Sequence, residues 1–211
     1  MSRSLIGCVA ASLLLLTAVS AAAEDEPLPV PAEDLVFCTV CHGVQLMGND
    51  LLKAPRLSGM APWYIENQLQ AFRKGWRGTH PEDLVGMEMQ PMAAGLSDAQ
   101  IERAAAFVGE TRSPQPESMV EGDSQRGSRL YTSCAACHAL DGSGNEALGA
   151  PALAGQNDWY MIHQLENYRE GRRGYAAEDV YGQQMRASTG LLADDQAIRD
   201  VVAYIMTLPT N

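Results

Sequence analysis

Two short segments hold the residues best suited to chemistry: Cys38-Thr39-Val40-Cys41-His42 and Cys134-Ala135-Ala136-Cys137-His138. Two thiols at this spacing can reach the two vinyl groups on one edge of a porphyrin. The histidine that follows is then held beneath the iron. C-x-x-C-H is the signature of covalent haem attachment, and its histidine is the proximal iron ligand. Three other chemistries use paired cysteines. Two disulfides would suit an exported chain, but they leave a histidine after both pairs unexplained. A thioredoxin-like redox pair needs a βαβ pattern around it, which is missing here. One zinc ion shared by both pairs would have to join segments 96 residues apart.

The same offset of 96 governs the whole chain. Sliding the sequence by that amount aligns Cys38–Met89 with Cys134–Met185 without a gap, and 22 of the 52 aligned positions are identical. The chain is a tandem duplication. Haem iron takes a sixth ligand, and a methionine thioether raises the potential into the range useful for electron transfer. Of the ten methionines, one recurs in both units, Met89 with Met185; Met60, Met87 and Met92 align with Gln156, Gln183 and Ser188. A lone methionine is ordinarily core filler. A pair at matched positions after matched haem motifs is read as the axial pair, which gives His42 and Met89 to one iron and His138 and Met185 to the other. Histidine is the other possible sixth ligand, but His80 aligns with Ala176 and His163 with Asn67, so neither recurs.

Helices must position these groups. Trp63 to Lys74 reads as one, with Pro62 in its first turn, Gly75 as its stop, and Ile65, Leu69 and Phe72 on one face. Its counterpart runs from Asp158, expected as the N-cap, to Gly171. A last helix begins at Ser97 with Gln100 completing a capping box, and carries Ile101, Ala104, Ala105 and Val108. Ile198, Val201, Val202 and Ile205 play that part in the second unit, before Pro209. No alternating run long enough for a sheet appears. Thr111 to Ser118, with two prolines among polar residues, reads as a linker. The expected units are therefore residues 24–113 and 114–211. A unit of this size buries little apolar surface alone, and a haem core offsets that shortage.

At the N-terminus, Arg3, an apolar run from Leu5 to Val19, and Ser20 to Ala23 ahead of Glu24-Asp25-Glu26 read as a signal peptide spanning residues 1–23. The run is short for a membrane span, and it continues well past Cys8, which argues against a lipoprotein. The mature chain is expected outside the cytoplasm, in the periplasm. The formal charge of −11 becomes −12 once Arg3 is removed, which disfavours nucleic acid as a partner. Arg73, Lys74 and Arg77, with Arg169, Arg172 and Arg173, cluster near matched helix ends. They fit either haem propionates or a partner, or simply the negative end of a helix dipole.

Taken together, the two C-x-x-C-H motifs, the segments Ala54 to Gly59 and Ala150 to Gly155, the Trp-Tyr-x-x-x-Gln-Leu helices, and Met89 and Met185 resemble the class I cytochromes c. The resemblance is to the two-domain dihaem type called cytochrome c-four, and it covers nearly the whole mature chain. It implies an all-α fold of two tandem haem domains, His/Met coordination at both irons, and two covalently bound haem c groups on Cys38, Cys41, Cys134 and Cys137. It also implies a periplasmic electron shuttle serving a terminal oxidase, a dehydrogenase or another membrane electron-transport complex. The carbonyls of Pro55 and Pro151 are expected to hold His42 and His138. In one respect the chain departs from the pattern. Gly127 and Tyr131 precede the second haem motif, but Pro31 and Leu35 stand at the matching places in the first, so a short first helix is expected. Two other functions share these motifs: the electron-accepting subunit of a dehydrogenase, and a dihaem peroxidase, which would need an open iron position.

Overall fold

The structure is a computed structural model and describes residues 30–210. The expected signal peptide lies outside the described residues. The described chain is helical, without strands. In the first unit a 3-10 turn, Glu33–Leu35, runs into α1 (Val36–His42), followed by α2 (Pro62–Arg73), α3 (Leu84–Ala94) and α4 (Asp98–Glu110). The second unit repeats the order with α5 (Ser124–His138), α6 (Asp158–Arg169), α7 (Val180–Thr189) and α8 (Asp195–Ile205). Each unit has its own apolar cluster. Leu35, Leu46, Ile65, Leu69, Phe72, Ile101 and Val108 form part of the first, and Tyr131, Met161, Ile198, Val201, Val202 and Ile205 part of the second.

The caps explain several helix limits. Pro62 sits at the start of α2, where its missing N–H costs nothing. Ser97 and Gln100 form the reciprocal capping box at the start of α4. Asp158 departs from expectation. It is the first helical residue, not the cap, because its Oδ2 is committed elsewhere, accepting from the backbone N–H groups of Met119 and Val120. Asn157 takes the cap position. Two further helices, α3 and α7, occupy stretches for which the sequence signalled none. Each begins at an aspartate, Asp83 or Asp179, whose carboxylate accepts from the N–H three residues on.

The first helix is indeed short. α1 spans seven residues where α5 spans fifteen. In the second unit α5 and α8 make the most extensive helix contact in the molecule. A Cβ at Gly127 would lie 1.9 Å from the carbonyl oxygen of Asp200, so only glycine allows this crossing. In the first unit the 3-10 turn takes over part of this contact, and Leu35, 1% exposed, fills the core position that Tyr131 fills in the second.

Candidate haem sites

α1 and α5 each end on a haem-motif histidine, and both rings are buried. After His42 the chain turns back: Gly48 N–H donates to the His42 carbonyl, and a bridge between Asn49 and Ala54 closes the loop. Gly144 with His138, and Asn145 with Ala150, repeat the arrangement. This return places the Pro55 carbonyl oxygen 2.8 Å from His42 Nδ1 and the Pro151 carbonyl oxygen 2.8 Å from His138 Nδ1. Each Nδ1–H donates, so each Nε2 keeps its lone pair for a metal. Burial pushes both imidazole pKa values below the ordinary histidine value, against the smaller upward pull of the proline carbonyl. Both rings are therefore held in the neutral, ligating form.

Of the four motif cysteines, Cys38 and Cys134 are half-buried and Cys41 and Cys137 exposed.

Met89 lies in the second turn of α3, half-buried against the same cluster that receives Cys38. Its neighbours Met87 and Met92 are 45% and 49% exposed. Met60 also packs on this cluster, but its sulfur accepts from Gln156 Nε2 at 3.7 Å. Met185 occupies the matching place on α7 and is half-buried. The two remaining histidines are both half-buried, His80 beside the Tyr175 ring and His163 on α6.

The basic residues divide into two kinds. Arg73 donates to the Leu96 carbonyl and pairs with Asp98, and Arg169 pairs with Asp195. Both tie the end of one helix to the start of the last. Arg77 and Arg173 are buried at the contact between the units. Arg77 donates to Gln68, Tyr160 and Gln164, while Arg173 donates to Gln164, Tyr64 and Gln68. Neither has a carboxylate within ion-pair reach among the described residues, and Arg77 Nε has no partner. Buried cations need a compensating anion. A cofactor that attaches through thioethers, takes an imidazole ligand and carries two carboxylates fits this donor set.

When bound, haem supplies a one-electron Fe(III)/Fe(II) couple whose potential the axial ligands set. The chain's own part is to hold His42 and His138 against Pro55 and Pro151, and Arg77 and Arg173 would be the buried cations available to the haem carboxylates.

A family profile described as cytochrome c matches twice, over residues 33–112 and 124–209. The thiosulfate dehydrogenase electron acceptor of Stutzerimonas stutzeri is 34% identical over 183 residues, covering 80% of this chain and 78% of that one. Cytochrome c4 of the same species is 35% identical over 151 residues, covering 66% and 70%. The crystal structure of reduced recombinant cytochrome c4 from Pseudomonas stutzeri superposes with a TM-score of 0.66 at 29% identity, over 83% of this chain and 95% of that one. The chain therefore belongs to the cytochrome c family, as a cytochrome c4-like dihaem electron-transfer protein with one covalently bound haem c in each of two domains.

Proposed function

We propose that the chain is a periplasmic electron carrier with no substrate chemistry of its own, its domains spanning residues 24–113 and 114–211. Cys38 and Cys41 attach the first haem, and His42 with Met89 ligates its iron; Cys134 and Cys137 attach the second, ligated by His138 and Met185. The observation that carries this reading is the repeated pairing. In both units a buried histidine is oriented by a proline carbonyl, and a half-buried methionine recurs at the matched place on a matched helix. Two oriented axial ligands per iron change little in geometry between oxidation states, which favours rapid electron transfer. They also leave no position for substrate, which speaks against the peroxidase reading.

A second reading has specific support. The relative that matches over 183 residues is named for accepting electrons from thiosulfate dehydrogenase. A dehydrogenase is accordingly the electron donor we infer, whether the chain shuttles freely or stays bound to it. Among the described residues no helix is long and apolar enough to cross a membrane.

Optical spectra of the purified holoprotein, with a pyridine haemochrome count, test the reading. The expected result is two haems c per chain, the weak far-red thioether-to-iron band when oxidised, and no change with carbon monoxide when reduced. Carbon monoxide binding to either reduced haem would show an open iron and overturn the His/Met assignment there. Co-purification with a dehydrogenase separates the bound subunit from the free shuttle.

A further inference from the structure

The two units are related by the repeat, but several contacts between them are not repeated, and one of these reaches a helix cap. Asp83, the cap of α3, is 3% exposed. Its Oδ1 accepts from Gly86 N–H at 3.0 Å and also from Asn167 Nδ2 at 3.3 Å, across the domain boundary. Asn167 lies on α6 of the second domain and is 1% exposed. Its own Oδ1 accepts from Arg172 Nε at 2.7 Å, and Arg172 in turn pairs with Glu170. A continuous polar chain thus runs from the surface of the second domain to the first turn of the helix that carries Met89. The carboxylate is closely seated, because a Cβ at Gly86 would come within 2.1 Å of Asp83 Oδ2.

The reverse connection is missing. The residue matching Asn167 is Ala71, and the one matching Arg172 is Trp76. Neither can offer the second domain a comparable pair of hydrogen bonds. Asp179, the cap of α7, accepts from Gly182 N–H but, among the described residues, receives no side chain from the first domain, and it is only half-buried. The titratable groups that sense the Asp83 charge are His163 and Tyr160, both from the second domain.

We propose that Asn167 is a positioning residue in trans. Held by Arg172, it braces the capping carboxylate of α3, and so fixes Met89 against the N-terminal haem from the opposite domain. The inference rests on Met89 being the axial ligand. A cap that loses a buried partner loosens the first turn of its helix, and Met89 lies one turn further on. The C-terminal haem has no such brace, so the two irons respond differently to the same change at the domain contact.

Proton NMR of the reduced holoprotein gives a separate, strongly shifted methyl signal for each haem-bound methionine, assigned with Met89→Leu and Met185→Leu. Asn167→Ala is expected to move or broaden the Met89 signal and to lower the potential of the N-terminal haem, leaving the Met185 signal in place. Arg172→Gln, a milder change near the surface, should act in the same direction with a smaller shift. A Met185 signal that moves as much as the Met89 signal would reveal only general loosening of the contact, and would overturn the proposal, as would no shift in either variant. If Met89→Leu removes no methyl signal, the ligand assignment itself fails, and this inference fails with it.

Discussion

Met87, Met89 and Met92 lie within six residues on one helix, and only the middle one lies against the core. It is also the one that recurs at the matched place in the second unit, and it is the iron ligand we propose. Met89→Leu should therefore remove roughly half of the far-red band and let one reduced haem bind carbon monoxide. Met87→Leu and Met92→Leu should leave both properties intact, and a full band in Met89→Leu would move the assignment to a neighbour. The histidines and thiols were legible in the sequence because the spacing itself is the chemistry. Recurrence alone singled out Met89. Two features at this scale were not legible. Asp158 looks like a helix cap, but it binds the Met119 and Val120 amides, a contact 38 and 39 residues away in sequence. Arg77 and Arg173 could not be told from ordinary helix-end cations, since part of what each donates to belongs to the other unit.

The long helix pair of the second unit depends on one close approach and one buried acid. Gly127→Ala puts a methyl against the Asp200 carbonyl oxygen and should destabilise the C-terminal domain by about 1–3 kcal/mol, measurable by denaturant unfolding. The Asp200 side chain, buried at the same crossing, accepts from Gln196, from Asp123 N–H and from Arg126. Burial raises its pKa, but these donors together outweigh burial and leave it below the ordinary carboxylate range. A carboxyl group with a depressed folded pKa contributes stability above its unfolded value, and that contribution is lost as pH falls through the folded value. Asp200→Asn should cost about 2 kcal/mol at neutral pH. Its difference from the parent should shrink as pH drops through the acid range, and a difference that stays constant would remove the charge from the explanation. The outer helices of each unit were legible from apolar spacing, caps and stops. α3 and α7 were not, because Gly86 and Pro91 interrupt the first, and the second, with Gly182, shows no clear apolar stripe. Their helicity comes from the aspartate caps and from packing against α2 and α6, which no local pattern displays.

Across the whole molecule, the duplication creates a contact in which each unit presents the same residues to the other. Gln68, Gln164, Tyr64 and Tyr160 receive the two buried guanidiniums from both sides, so each arginine serves its own domain and its neighbour at once. Unrepeated residues then fasten the linker over this contact. Arg56 donates to the Ser113 and Pro114 carbonyls, and Asp158 holds Met119 and Val120, although the repeat places Ala152 and Pro62 at the matching positions. A linker fastened from both domains fixes their orientation less tolerantly than a Pro-rich tether would by itself. If the contact is a true energetic unit, its two halves must couple. Arg77→Leu and Tyr160→Phe, taken singly and together, should show an interaction energy of roughly 0.5–3 kcal/mol across the domain boundary. Arg173→Leu with Tyr64→Phe should show less, because that pair is longer, 3.3 Å against 3.0 Å. Additive effects in both cycles would mean that the linker, and not the arginine pair, sets the distance between the haems. Cutting the Arg56 and Asp158 contacts would then be the change that slows electron exchange between them.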